Sequence, residues 1–273
     1  MPTIALTKCQ GTGNDFMLFD DRAGSGLPYP ALARNLCDRR FGVGADGLLV
    51  LSVAGDATAD LRMRIFNADG SEAEMCGNGI RCVSHYVART SGKRSALAIE
   101  TAKGVVRAEP QDEDMVRVAM GVPRVIAGDE RVEIGGQGRT VTRVNIGNPH
   151  AVVFVEEPLE SIDLTALART LSRNGSETNV EVARMTGNDV EMRVYERGVG
   201  ETWACGTGAC AAAVAAVAHR EVRSPVKVAT KGGEVVVNWP GDGEPAHLTG
   251  PAQLLFDLQI EVGPDGRIIP TAP

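Results

Sequence analysis

From Asp60 to Phe66, Leu61, Met63 and Ile65 alternate with Arg62 and Arg64, the period-two pattern of a half-buried strand. Shorter strands are expected at Thr3–Leu6 and Phe16–Asp20. The unbroken apolar run Leu48–Leu51 reads as a buried strand. Pro30 to Arg40 sets Leu32, Leu36 and Cys37 on one side, as an amphipathic helix does. Strands are further expected at Ala96–Thr101, Gly104–Glu109, Met115–Met120, Val132–Ile134, Thr140–Ile146, Ala151–Val155, Asn179–Ala183, Asp189–Tyr195, Val226–Thr230, Glu234–Trp239 and Ala246–Thr249. Leu164–Leu171 reads as a short helix, and Asn174–Thr178 as a turn. The apolar tail Leu254–Val262 is expected to return as a strand to the first half. Ala211 to Ala218 differs from all of these. It is made of strong helix formers, lacks Gly and Pro, and is apolar on every side, so it predicts a helix buried all round.

One device occurs twice. Met63-Arg64-Ile65-Phe66-Asn67, Glu72 and Met75-Cys76-Gly77-Asn78-Gly79 are matched at one constant spacing by a second set. That set is Met192-Arg193-Val194-Tyr195-Glu196, Glu201 and Ala204-Cys205-Gly206-Thr207-Gly208. A looser echo pairs Gly13-Asn14-Asp15 with Gly147-Asn148-Pro149. Each copy reads as strand, turn, Cys-Gly-x-Gly, helix. Two copies predict a pseudo-symmetric pair of domains rather than a solenoid. In each, the cysteine lies at a helix N-terminus, where unpaired N–H groups and the dipole favour an anion. Each is therefore expected to ionise more easily than a free cysteine, whose pKa is about 8.5.

Composition narrows the function. At 273 residues the chain holds one large or two medium domains. The net charge of -7, with no Lys/Arg run, argues against a nucleic-acid partner. No stretch approaches about 18 consecutive apolar residues, and the N-terminus lacks a basic and apolar leader. Neither a membrane span nor a signal peptide is expected, and the location is expected to be cytoplasmic. In that compartment the six cysteines (Cys9, Cys37, Cys76, Cys82, Cys205, Cys210) stay reduced. None forms a Cys-x-x-Cys pair, and His85, His150, His219 and His247 lack ligand spacing, so no metal is expected. Gly11-Thr12-Gly13-Asn14-Asp15 has the glycines of a phosphate loop without its Lys-Ser/Thr, and a nucleotide reading fails.

Two thiols in different protonation states, on opposite faces of one carbon, make a two-base racemase. One thiolate removes the α-proton while the other thiol delivers a proton from the far side. Acid–base catalysis contributes roughly 10²–10⁴-fold, too little for an unactivated amino-acid α-proton. The carbanion also needs preorganised stabilisation. Two helix N-termini aimed at the α-carboxylate supply it, because Gly77-Asn78-Gly79 and Gly206-Thr207-Gly208 leave their N–H groups unobstructed. No lysine has a Schiff-base context, so the reaction is expected to need no cofactor.

These residues resemble a known family. Gly13-Asn14-Asp15-Phe16, Arg64 to Glu72 with Cys76 to Cys82, Gly147-Asn148-Pro149-His150, and Tyr195-Glu196-Arg197-Gly198 with Cys205 to Cys210 are similar to diaminopimelate epimerases, in order and along nearly the whole chain. The resemblance implies conversion of LL- to meso-diaminopimelate in lysine and peptidoglycan-precursor synthesis, in the bacterial or plant cytosol. It implies an α/β (α+β) fold of two pseudo-symmetric domains, each a mixed or antiparallel sheet wrapped round a central helix. These are placed at residues 1–118 plus 251–273, carrying Cys76, and 119–250, carrying Cys205. A homodimer is expected.

Carried over residue by residue, the resemblance makes Cys76 and Cys205 the acid/base pair. Gly77, Asn78, Gly206 and Thr207 hold the reacting carboxylate by backbone N–H, and Glu196 engages the reacting ammonium. His150 with Glu196 tunes the thiols. Asn14, Asn67, Asn148, Asn179 and Arg197 hold the distal end, where Arg197 can grip a carboxylate bidentately. The chain departs from the commonest pattern at Cys9-Gln10, at Gly47, where many members have glutamine, and at Ser176-Glu177-Thr178. These places bear on the substrate more than on the reaction. A two-cysteine racemase of another amino acid on the same fold is the alternative.

Overall fold

The computed structural model describes residues 2–172, 178–219 and 222–269, the side chains of 127–129 excepted. The chain divides into two units, Met1–Val118 with Pro251–Pro273 and Ala119–Gly250. In the first, the chain runs through β1 (Thr3–Gly11), β2 (Asn14–Asp20), α1 (Tyr29–Cys37), β3 (Gly47–Ser52) and β4 (Leu61–Asn67). It continues through β5 (Glu72–Ala73), α2 (Gly77–Ser91), β6 (Leu97–Thr101), β7 (Gly104–Pro110) and β8 (Met115–Gly121). The alternating segment is β4, with Leu61, Met63 and Ile65 buried and both arginines half-buried. The second unit holds β9 (Arg124–Ile134), β10 (Gln137–Asn145), β11 (Pro149–Phe154), α3 (Leu164–Leu171), β12 (Asn179–Thr186) and β13 (Asp189–Glu196). After these come β14 (Gly200–Thr202), α4 (Gly206–His219), β15 (Val226–Thr230), β16 (Gly233–Asn238) and β17 (Ala246–Pro251). The tail forms β18 (Gln253–Val262) and β19 (Ile268–Ile269), and β18 pairs antiparallel with β1 from Thr3↔Glu261 to Gln10↔Gln253.

The duplication read from the motifs extends to the topology. The first unit orders its strands β18-β1-β2-β3-β4-β6-β7-β8, with β5 also on β4. The second orders them β9-β10-β11-β12-β13-β15-β16-β17, with β14 on β13. Among the described residues, the parallel pairs are β2–β3 and β4–β6 in the first and β11–β12 and β13–β15 in the second. Parallel neighbours need a crossover. α1 and α2 supply it in one unit, α3 and α4 in the other. The fold is mixed α/β, as expected.

The helices bury as their patterns require. α1 lays Leu32 and Leu36 against Met17, Leu48, Val50 and Phe66. α3 lays Leu164, Leu167 and Leu171 against Val153, Val180 and Val182. Thr207 to Ala216 of α4 are all buried, the central helix its alanine run predicts. α2 buries only Gly77 to Ser84, and its later turns reach solvent.

Several boundaries differ from expectation. α1 stops at Cys37 rather than Arg40, because the Asp38 carboxylate accepts the N–H groups of Arg40 (2.7 Å) and Phe41 (2.8 Å) and draws the chain out of the helix. β9 starts at Arg124, well before Val132. Its partner β10 is irregular between Val141 and Val144, which hides the alternation. β5 and β14 are too short to show a period. The turn expected at Asn174–Thr178 lies outside the described residues except for Thr178, as does the departure at Ser176-Glu177.

Candidate active site

The two Cys-Gly-x-Gly stretches adopt one local geometry. Cys76 caps α2 in extended backbone (φ −145°, ψ 114°), and its sulfur accepts the Gly79 N–H at 3.5 Å. Cys205 stands before α4, and its sulfur accepts the Gly208 N–H at 3.4 Å. Their carbonyls take the first helical bonds, from Ile80 (3.0 Å) and Ala209 (2.9 Å). Gly77, Asn78, Gly206 and Thr207 are thus first-turn residues, whose N–H groups point out of the helix end.

Around Cys76 the first unit gathers amides. Asn14 Oδ1 lies 3.8 Å from Cys76 Sγ and accepts Asn78 Nδ2 at 3.3 Å. Asn14 Nδ2 donates to Asp46 at 2.8 Å, which fixes the amide's direction. Arg39 grips both Asp46 (2.9 Å) and Asp15 (2.6 Å), and Lys8 also reaches Asp15 at 2.6 Å. Burial pushes the Asp15 carboxyl up, but Arg39 and Lys8 outweigh it and hold it at about 2. The fully buried Arg81 donates to Thr12 Oγ1 at 3.0 Å and to the Pro251 carbonyl at 3.1 Å. Asn67 turns to Ser71 Oγ (2.9 Å) instead of joining this group. At Gly47 a Cβ would come within 2.8 Å of the Phe66 carbonyl, so the glutamine common in the resembling family does not fit this backbone.

Around Cys205 the second unit builds a chain of polar contacts. Thr207 Oγ1 lies 3.4 Å from Cys205 Sγ and accepts Asn148 Nδ2 at 3.4 Å. Asn148 Oδ1 lies 3.0 Å from His150 Nε2, and His150 Nδ1 lies 2.7 Å from Glu181 Oε1. The side chains of His150 and Glu181 are completely buried. Glu196 accepts the Thr202 hydroxyl and hydrogen-bonds Cys205, and burial raises its pKa. Asn179 Oδ1 accepts the Arg197 N–H at 2.8 Å and so shapes the turn that displays Arg197. That guanidinium is exposed and makes no ion pair among the described residues. Sequence reasoning missed Glu181. A glutamate in a strand reads as a solvent-facing position, and only its register beside His150 reveals it.

One expectation is corrected. Burial pushes the Cys205 thiol well above its ordinary range, and the charges of Glu196 and Glu181 push it the same way. The Thr207 hydroxyl and the Gly208 N–H pull it down without prevailing. The helix N-terminus therefore lowers the Cys205 thiol without offsetting its burial, because desolvating a thiolate costs more than one cap returns.

The model of the diaminopimelate epimerase family matches residues 6–126 and 142–255. A diaminopimelate epimerase of Synechococcus sp. (strain JA-3-3Ab) is 42% identical, over 94% of this chain and 98% of its own. Among solved structures, a phenazine biosynthesis protein of Bacillus anthracis aligns with a TM-score of 0.73 at 16% identity, covering 96% of this chain and 100% of its own. A hydroxyproline epimerase of Agrobacterium vitis aligns with a TM-score of 0.69 at 17% identity, covering 94% and 92%. At such identities these two structures share the fold alone.

Proposed function

The chain belongs to the diaminopimelate epimerase family, and on that premise we propose that it interconverts LL- and meso-diaminopimelate by proton transfer between Cys76 and Cys205. The observation that carries this reading is the shared N-cap geometry of the two thiols, each at the mouth of a first turn with N–H groups to offer. One thiolate takes the α-proton, and the other thiol gives its proton to the opposite face of the carbanion. After inversion the two sulfurs have exchanged protonation states. The sulfur that is the base toward one isomer is therefore the donor toward the other.

The N–H groups of Gly77, Asn78, Gly206 and Thr207 stabilise the carboxylate as it takes up carbanion charge. Glu196, beside Cys205, receives the reacting ammonium, and with His150 it tunes the thiols. Asn14, Asn67, Asn148, Asn179 and the displayed Arg197 hold the distal amino-acid end. No step calls on a cofactor. The enzyme serves lysine and peptidoglycan-precursor synthesis, and we read it as a cytosolic homodimer. Among the described residues no helix is long and apolar enough to cross a membrane.

The relatives favour diaminopimelate over any other amino acid, since the match to a hydroxyproline epimerase is one of fold only. NMR of the reduced protein with LL-diaminopimelate, beside histidine, proline and glutamate, tests the substrate. Meso product from diaminopimelate alone is expected. Inversion of another amino acid instead would move the substrate and keep the mechanism.

A further inference from the structure

The two units repeat strand for strand, yet what lies beneath the two cysteine helices differs. Strands β2 and β3 set Phe16 opposite Gly47 and Leu18 opposite Leu49. Strands β11 and β12 set His150 opposite Asn179 and Val152 opposite Glu181. Counted from Asn14 and Asn148, Phe16 corresponds to His150 and Leu49 to Glu181. Packing agrees with the register. A Cβ on Gly79 would meet Leu49 Cδ2 at 2.9 Å, and one on Gly208 would meet Glu181 Oε1 at 2.7 Å. The first turn of α2 rests on hydrocarbon, and that of α4 on a carboxylate.

That carboxylate is an expensive floor. Glu181 is completely buried, and its Oε2 has no hydrogen-bond partner among the described residues. Its Oε1 meets His150 Nδ1, while His150 Nε2 meets Asn148 Oδ1, with the amide of Asn148 turned by its bond to Thr207. The imidazole thus bridges the Glu181 carboxylate to the Asn148 amide. The contacts then continue through Asn148 and Thr207 to the sulfur of Cys205.

We propose that Glu181 is a positioning residue that makes the two cysteines unequal: through His150 and Asn148 it aims the Thr207 hydroxyl at Cys205, and from beneath α4 it favours the thiol form of that sulfur in the substrate-free protein. This rests on the two-cysteine reading above. The burial and charge that raise the Cys205 thiol act in the same direction, with Glu196 of β13 as the other nearby acid. The remaining arginines, lysine and glutamates of the strands packed on α4 are held elsewhere, in the pairs Arg139–Glu157, Arg143–Glu130, Arg184–Glu191, Arg193–Glu201 and Lys227–Glu234.

The test is alkylation of the substrate-free, reduced protein by iodoacetamide at one pH, mapped by mass spectrometry, in the native chain, Glu181→Gln and Glu181→Leu. The isosteric Glu181→Gln is expected to speed alkylation of Cys205 by roughly tenfold, the change in thiolate fraction that one pKa unit brings. Cys76 keeps its native rate, and Cys210, fully buried in the same helix, stays unreactive. In turnover Glu181→Leu loses on the order of 10- to 100-fold in kcat with little change in KM, as loss of an orienting partner does. Glu181→Gln, which still accepts from His150, recovers part of that loss. An unchanged Cys205 rate in Glu181→Gln overturns the proposal, and so does equal acceleration at Cys76 or exposure of Cys210. Absence of epimerisation by the native chain would instead remove the two-cysteine reading and leave the alkylation result standing.

Discussion

Arg197 shows how a side chain can be positioned by its own backbone. Asn179 holds its N–H, and the guanidinium stands exposed at the turn with five donors to offer. Arg197→Lys keeps the charge and loses the planar fork, so KM for diaminopimelate is expected to rise about 10-fold or more while kcat changes little. Steady-state kinetics on the variant checks this. Asp15 gives a prediction in pH. Its folded pKa is lowered to about 2, so its contribution is fully present above the unfolded value of 3.8 and is lost as pH falls through 2. Partial exposure screens the ion pairs and leaves about 1 kcal/mol. Urea melts of Asp15→Asn should therefore lie below native at pH 7 and converge with it near pH 2. The cysteines were legible as residues because their context is duplicated. Glu181 was not, because its counterpart Leu49 is apolar and the two copies disagree there.

Each cysteine helix needs a glycine three positions into its motif, because a neighbouring strand passes directly under the first turn. The two sites should not tolerate a methyl equally. At Gly79 an added Cβ meets the end of Leu49, which can swing aside. At Gly208 it meets Glu181, which His150 holds in place. Overpacking costs typically 1–3 kcal/mol. Gly208→Ala is expected near the upper end of that range and Gly79→Ala near or below the lower end, read from denaturant midpoints. Equal costs would mean that the floor of α4 yields as readily as that of α2. Elements with a strong period, such as β4 and α3, could be read from sequence almost to their ends, and α4 from its unbroken run of apolar helix formers. β9, β5 and β14 could not, because pairing with a neighbour, rather than their own pattern, makes them strands.

At the scale of the whole chain, one topology serves twice, and its parallel pairs recur at the same places in both units. The repeated motif predicted that duplication. It did not predict that one cysteine helix would sit on hydrocarbon and the other on a buried acid, because residues brought together by strand register lie far apart in sequence. Two-base inversion itself needs only that one sulfur start each turnover with the proton the other lacks. The measurement that tests this account most directly is turnover in D₂O by the native chain, Cys76→Ala and Cys205→Ala, starting from LL-diaminopimelate and from meso-diaminopimelate. Native protein should place deuterium at the inverted centre from either isomer, and both variants should lose inversion by at least about 10²-fold, the contribution of a positioned acid or base. Inversion at the native rate by either variant would contradict the central claim that both thiols carry the proton.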